Sequence, residues 1–474
     1  MNAHLILGNQ LFANHPSLSS SKDEPKIFIE SIKTSNKYKY HKLKLVYVFS
    51  TMRHYAEELK SKGHEVIYIT QSDKSIRDEL KIIISSKKIK HISYMIPVDN
   101  GPRENLKKFF SENNVEVKIF ENMLHITNEA NFDDWKIKSK KPIMEFFYRD
   151  QRKKLNILMD KDKPEGGIWN YDKENRKPLP KNLNDFPKIP KFEIDEITHE
   201  AIRDVSKNFS SNPGDIDNIW LPVNHEQSKI FLDDFIENRL TLFGKYEDAI
   251  KNDEAILFHS GLSALINNGL LEVREVLDAV IEAKDIPISS KEGFIRQIIG
   301  WREYMYGIYL SSPDLINLNY FGFKKELEPY WFTLDFEDKK LPEAVKNSLK
   351  TLKKYSYNHH IERLMVLGNW FLLNEYNPKS VNDWFMSMYV DAYEWVMVPN
   401  VIGMSQYADG GSVATKPYIS GDSYLQKMGH YIPSKDEELS YTYKYWKFLD
   451  NNYDKLKGNP RMSLALSLSA KRKI

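Results

Sequence analysis

Apolar runs alternate with amphipathic stretches over the first 125 residues: AHLILG (3–8), KLKLVYVFS (42–50), HEVIYIT (64–70), KHISYMIP (90–97) and VEVKIFE (115–121). Helical patterns lie between several of them. In MRHYAEELKSKG, Tyr55 and Leu59 keep a helical period until a glycine stops it. Strands alternating with helices predict a parallel sheet covered on both faces. Ligands in such folds bind at the carboxyl ends of strands, so the loop Gly8-Asn9-Gln10-Leu11 after the first run is the first candidate site. It is not a G-x-G-x-x-G loop, and a plain strand-ending turn is the other reading.

From 136 to 225 the periodicity is lost. Basic residues crowd FYRDQRKKLNIL, and GGIWNYDKENRKPLPKNL and FPKIPKF supply Gly, Pro and Asn. Beyond 226 the pattern is helical almost to the end. From Pro378 onward, Val381, Trp384, Phe385, Met388, Ala392 and Trp395 recur at three- and four-residue steps, with the proline in a first turn. The expected organisation is an α/β domain over 1–135, an ordered connector over 136–225 and a large all-α domain over 226–474.

Length allows this: 474 residues correspond to about three domains at ~150 residues each. Lys plus Arg number 68 against 66 Asp plus Glu, which excludes a blanket positive field and leaves room for a local basic face. The chain has no cysteine, so disulfides, zinc-thiolate sites, iron-sulfur clusters and thiol nucleophiles are excluded. The start of the sequence does not read as a signal peptide, and no run of ~18 apolar residues occurs; a cytoplasmic protein without membrane attachment is expected. Nine Trp and 27 Tyr suit a protein that buries a flat ligand or exchanges electrons, and equally a generously aromatic core.

Asn358-His359-His360-Ile361-Glu362-Arg363 opens a predicted helix running through Leu373. Adjacent histidines point about 100° apart on a helix, which is poor ligand spacing, so no metal site is expected. One of them can face a pocket as proton donor while Arg363 holds a carboxylate; packing at a helix start is the alternative. The turn-rich stretch Asp391-Ala392-Tyr393-Glu394-Trp395, Pro399 to Met404, Asp409-Gly410-Gly411 and Lys416-Pro417-Tyr418 has the composition of loops that line binding sites. His259-Ser260-Gly261-Leu262-Ser263 precedes a helix, where amides and hydroxyls suit a pyrophosphate or simply cap the helix. Glu292 to Tyr304 mixes charge with aromatics along one helix; ion pairing on its surface is the plain reading.

Together and in this order, GNQL, STMRHYAEEL, MEFFYRDQRKKLNILMD, GGIWNYDKENR, LFHSGLSALINNGLL, GFIRQIIGWREY, YNHHIERLMVLGN and YVDAYEWVMVPNVIGMSQYADGG with ATKPYISG resemble the photolyase and cryptochrome superfamily. The likeness is to its bacterial branch, the prokaryotic (6-4) photolyases and related cryptochromes usually described by an iron-sulfur cluster. It spans nearly the whole chain. It implies an antenna-chromophore domain, a connector and a helical domain that binds FAD and the DNA lesion.

By that resemblance Ser260, Leu262 and Ser263 meet the flavin phosphates, Arg296, Trp301 and Arg302 form an adjoining wall, and Tyr246 is a further contact. Arg363 and Asp391 match the ion pair beside the isoalloxazine, and Met397 stands where most photolyases carry Asn or Glu near flavin N5. His360 matches the histidine of (6-4) lesion chemistry, with His359 beside it and Tyr418 near the lesion pocket. Trp384 matches an electron-transfer tryptophan, Phe385 replaces a frequent tyrosine, and Trp331 or Trp370 is expected to complete the route.

The four cluster-ligand positions correspond to Ala344, Ile432, Lys435 and Leu439, so no cluster is expected, and the aromatics of YTYKYWKF are expected to fill the space. The antenna implied is 6,7-dimethyl-8-ribityllumazine near Gly8, Asn9, Gln10, Ser50 and Met52, with Asn9 where relatives often have Asp. UV-damaged DNA is the implied partner of a monomeric enzyme, held by Lys416 and by Arg149, Arg152 and Lys153. The basic ending Lys471-Arg472-Lys473 is a further candidate, with a solvated tail as the plain reading. Light-driven repair of (6-4) photoproducts is the principal expectation; a cryptochrome-type photoreceptor without repair is the alternative, and a cyclobutane dimer the other lesion.

Overall fold

The computed structural model describes residues 1–140 and 142–472, so the expectation for Lys473 lies outside the described residues. Its contacts divide the chain into two compact units. One comprises 1–126, 189–234 and 262–279, the other 127–188, 235–261 and 280–474. Residues 136–225 are shared out between them.

The first unit is built on a five-stranded parallel sheet: β1 (Asn2–Leu5), β2 (Lys26–Ser31), β3 (Val66–Ser72), β4 (His91–Met95) and β5 (Glu116–Phe120), in the order β3-β2-β1-β4-β5. Ala3, Leu5, Ile27, Ile29, Ile92 and Tyr94 meet Leu80 and Ile83 of helix Ile76–Lys87 and Leu106, Phe109 and Phe110 of helix Asn100–Glu112 on one face. Tyr55 of helix Lys42–Ser61 sets its ring edge-on to Phe28 at 6.0 Å on the other.

The run KLKLVYVFS is therefore not a strand: it forms the first half of helix Lys42–Ser61, whose start is capped by His41 Nδ1 accepting from Leu43 N at 3.1 Å. Leu45, Val46 and Phe49 on its outer side pack against Ala201, Val205 and Phe209 around helix Glu196–Asn208. A helix buried on both sides is apolar nearly all round, and that reads like a strand. The strand the pattern missed is β2, KIFIES, whose six residues are all buried although half are polar. Lys26 donates to the carbonyls of Ser21 and Glu24 at 3.0 and 2.7 Å, and Glu30 takes both Arg53 nitrogens at 2.8 Å.

The second unit is helical over most of its described residues. Three of its helical runs contain π-helical turns, Arg296–Arg302, Glu362–Gly368 and Pro399–Ser405. Such turns add a residue to the helix and re-aim side chains, and they cluster at functional sites. The Gly368 turn lies against the Ser405 turn so closely that a Cβ on Gly368 would stand 2.3 Å from Ser405 Oγ. The helix opened by Pro378 stops at Met388; Ala392 falls in a turn and Trp395 in a separate helix, Glu394–Val398.

Candidate active site

The chemistry-bearing residues of the second unit gather around the start of the π turn at Glu362. Asn358 and Arg363 fix its geometry. Arg363 donates Nε to the Asn358 carbonyl at 2.7 Å and grips Asp391 with both terminal nitrogens at 2.9 and 3.0 Å. Its guanidinium lies 4.1 Å from the Tyr389 ring centroid, and the Tyr389 hydroxyl donates to Asn358 Oδ1 at 2.9 Å. Burial pushes the phenols of Tyr389 and Tyr357 up, the latter to about 12, so both stay neutral beside this pair.

The twin histidines behave differently. His359 is buried, and its ring stacks on His259 with centroids 4.3 Å apart and planes 13° from parallel. The His259 Nε2–H donates to the Glu247 carbonyl at 2.9 Å. His360 is accessible to solvent yet surrounded by protein; desolvation pushes its basicity down to about 4, helped by the charges of Arg363 and Arg176. The Arg176 charge also reaches Tyr418, which is half-buried, and so do those of Asp172 and Asp248.

Those acidic and basic groups form a network of which the sequence singled out Arg296 and Glu292, while Asp172 and Arg176 stood only inside the motif GGIWNYDKENR. Arg296 pairs with Asp172 and with Glu292, and Arg176 pairs with Glu247 at 3.0 Å. Burial raises Glu247 to about 7. Charged residues inside a stretch rich in Gly and Asn were the available signal.

Of the remaining flavin-wall candidates, Arg302 lies 4.9 Å over the Trp395 ring, and burial lowers it to about 10. Trp301 is half-buried and Met397 buried. Tyr246 packs in a core cluster with Leu179, Leu257 and Phe258. Leu262 is buried and Ser263 opens the six-residue helix Ser263–Asn268; Arg239 donates to the Ser260 carbonyl at 3.2 Å.

Trp384 is fully buried, donating Nε1 to the Trp331 carbonyl at 2.8 Å, with the two indoles 6.0 Å apart. Trp331 in turn lies 5.1 Å from Tyr330, which is half-buried. Trp370 instead packs on Tyr441 at 5.2 Å.

Residues 4–221 match the family described as deoxyribodipyrimidine photo-lyase-related protein. Over 97% of its length the chain is 36% identical to the (6-4) photolyase of Agrobacterium fabrum, covering 93% of that protein. The chain belongs to the (6-4) photolyase family. In fold it is similar to a bacterial class III photolyase from Agrobacterium tumefaciens, with a TM-score of 0.60 at 15% identity over 100% of this chain and 98% of that one. An archaeal photolyase from Sulfolobus tokodaii, crystallised with two FAD molecules, gives 0.60 at 13% identity, over 97% and 100%.

Three of the four positions expected from the sequence to correspond to cluster ligands come together. Ala344, Ile432 and Leu439 line one cavity of about 360 Å³ with Leu341, Leu425, Tyr431 and Tyr441. The donor set there does not fit a cluster: no thiolate is present, and Asp422 accepts from Ser440 Oγ and from the amides of Tyr441 and Thr442. Of the aromatics expected to fill the space only Tyr441 reaches the cavity, because Trp446 packs on Tyr445 and Arg472.

At the carboxyl ends of β1 and β2, Gly8 and Met52 line a cleft of about 150 Å³ with Glu30, Val48 and Ile76. Gln10 and Ser50, expected beside them, are fully buried and spent on internal hydrogen bonds, Gln10 to the Met95 carbonyl at 3.0 Å and Ser50 to Thr198 at 2.9 Å. Asn9 is half-buried.

Among the expected DNA contacts, Lys153 and Lys416 are exposed and Arg149 half-buried against Glu145 at 2.7 Å. Arg152 is a correction: it is fully buried, donating to the carbonyls of Ile157, Leu158 and Trp169, so it braces the helix Met144–Leu155 from inside.

Proposed function

We propose that this chain repairs pyrimidine (6-4) pyrimidone photoproducts in UV-damaged DNA in a light-driven reaction. The observation that carries the reading is His360. It is solvent-accessible, held neutral by its surroundings, and sits three residues before an arginine locked to a buried carboxylate. The named relative at 36% identity supports the lesion class.

The residues present suit FAD. Arg363 offers a fixed positive charge, already oriented by Asp391, to a ring system that gains negative charge on reduction, and Arg302 and Trp395 supply a cationic and an aromatic surface. When bound, FAD supplies the excited-state electron. The chain's own residues do the rest. His360, once protonated, is made a strong acid by its surroundings; the imidazolium passes its proton to the flipped lesion and returns to the neutral ring, and a damaged pair costs less to extrude than an intact one. Tyr418, kept neutral by burial, offers a hydroxyl donor to the lesion. Lys416, Lys153 and Arg149 hold backbone phosphates, which makes binding weaken with salt. Trp384, Trp331 and Tyr330 form a contiguous aromatic line for refilling the electron, and their ring spacings of 6.0 and 5.1 Å support it.

A lumazine antenna in the Gly8–Met52 cleft is the finer part of this reading. A cleft of 150 Å³ is below the ~300 Å³ of usual ligand pockets, so uptake turns Met52 away from Gly8. The enzyme carries no iron-sulfur cluster and acts as a cytoplasmic monomer; no described helix is long and apolar enough to cross a membrane.

The test is illumination of the reduced protein with DNA carrying one defined (6-4) photoproduct. Repair by the wild type, reduced at least ~100-fold in His360→Ala, is the expected result for loss of a direct proton donor. Unimpaired repair in that variant removes His360 from the mechanism, and absence of repair by the wild type favours the photoreceptor reading.

A further inference from the structure

We propose that Glu362 is the proton reservoir of the histidine site: it shares a single proton with His359, and the charge of that pair tunes the proton-donating power of His360. The inference rests on the role given to His360 above.

Glu362 and His359 lie one helical turn apart, with 6% and 2% of their side chains exposed, and His359 Nε2 stands 3.6 Å from Glu362 Oε2. Glu362 Oε1 accepts from Ser348 Oγ at 3.1 Å. Oε2 and both nitrogens of His359 have no hydrogen-bond partner. Buried polar atoms left without a partner are costly, so a pair that faces one another across 3.6 Å closes on a single proton. Two charges so deeply buried are expensive, which favours the neutral acid beside the neutral ring. Consistent with this, desolvation raises Glu362 to about 7 against the pull of Ser348, Asn358 and Arg363, and drives His359 well below its usual range.

The other groups that sense Glu362 do not titrate near neutrality. Tyr357, Tyr389 and Tyr431 are all raised by burial, and Arg363 is neutralised by Asp391. His259, stacked on His359, is pushed down to about 4. The Glu362–His359 pair thus changes charge around pH 7 beside His360, and so does Glu247 behind Arg176, which the Glu362→Gln variant leaves in place.

In the transfer the Glu362 Oε2–H bond breaks and an N–H bond forms on His359 Nε2, leaving the pair's net charge unchanged and needing no co-reactant. His359 is electrostatically coupled to His259, on which it stacks, and to His360. A proton on His359 lowers the affinity of His360 for its own proton and makes it a better donor. Loss of the shared proton above pH 7 has the opposite effect, so Glu362 acts as a positioning residue, through His359.

Infrared titration of the full chain with ¹³C-labelled glutamate tests this without any substrate. The expected result is a label-sensitive carbonyl stretch of a protonated carboxylic acid that vanishes with a midpoint near pH 7. Glu362→Gln, which keeps shape and neutrality, deletes that band while the corresponding band of Glu247 remains; Glu362→Asp retains a titrating band that the glutamate label no longer shifts. Absence of any band removed by Glu362→Gln overturns the proposal. In the repair assay the wild type slows about tenfold from pH 6 to pH 8 relative to Glu362→Gln, equivalent to one unit in the histidine's proton affinity, because the uncharged amide holds the neutral state of the acid throughout. An unchanged pH profile in Glu362→Gln also overturns it. A wild type that shows the band and repairs nothing refutes the proposed function and leaves the buried acid standing.

Discussion

Replacing Asp391 by asparagine isolates the charge that holds Arg363 in place. The two side chains are 14% and 6% exposed, and the two bonds measure 2.9 and 3.0 Å, so the pair is both buried and bidentate. Removing one partner of such a pair costs roughly 3–5 kcal/mol, because the other charge stays buried without compensation. Asparagine keeps one acceptor oxygen, and Arg363 retains its 2.7 Å bond to the Asn358 carbonyl and its 4.1 Å stacking on Tyr389. The low end, about 3 kcal/mol, is therefore expected. Urea unfolding of the full chain reads it as a lower midpoint at unchanged slope. A cycle of Asp391→Leu, Arg363→Met and the double variant Arg363→Met/Asp391→Leu separates pairing from burial: the double variant should recover at least ~1.5 kcal/mol relative to those summed singles. A loss under ~1 kcal/mol in Asp391→Asn, or additivity within ~0.5 kcal/mol, would refute the assignment of this pair as the clamp of the site.

Three further outcomes follow from the geometry. Trp384→Phe should slow blue-light bleaching of the flavin-loaded protein by at least ~10-fold while leaving its fold intact, and Trp331→Phe should do the same; an unaltered rate in either places the route elsewhere. Gly8→Ala brings a Cβ to 2.8 Å from Met52 Sδ, a flexible group that can swing away. Stability should fall by under ~1.5 kcal/mol while the antenna is lost, read as chromophore released on denaturation; full stoichiometry would show that the antenna binds outside this cleft. Stability should also fall as the pH drops below 6.5. Buried His15 and His259 fall from 6.5 to about 3 and about 4, so the unfolded chain binds more protons below 6.5 and each costs stability as pH drops, at ~1.4 kcal/mol per unit. Glu247 and Glu362, raised from 4.5 to about 7, act with the opposite sign between those values. His359 and His360 are depressed as well, so four histidines outweigh two glutamates and stability declines from 6.5 downward, more steeply below 4.5. Glu362→Gln should steepen this decline between pH 6.5 and 4.5; a slope unchanged by that substitution contradicts the buried acid.

Much of the architecture was legible because amphipathic period and turn residues agree with it. Pro378 starts its helix where the pattern places it, and four of the five strands coincide with apolar runs. The failures share a cause. Helix Lys42–Ser61 is buried on two sides and loses its polar stripe, while β2 hides behind Lys26 and Glu30, whose partners at Ser21, Glu24 and Arg53 are supplied by tertiary structure. The same holds at the site. Arg363, Asp391, His359 and His360 stood out as residue types in a motif, whereas the stacking of His259 on His359 joins positions 100 residues apart and no local pattern encodes it. Arg152 looked like one more surface cation in a basic run, and only its burial against three carbonyls shows otherwise.

The hydrocarbon walls contributed by Ala344, Ile432 and Leu439 bear on how the protein matures. With no sulfhydryl anywhere in the sequence, no thiol oxidation interrupts the closure of this corner, which rests on hydrocarbon contacts and on Asp422 receiving Ser440 Oγ and the amides of Tyr441 and Thr442.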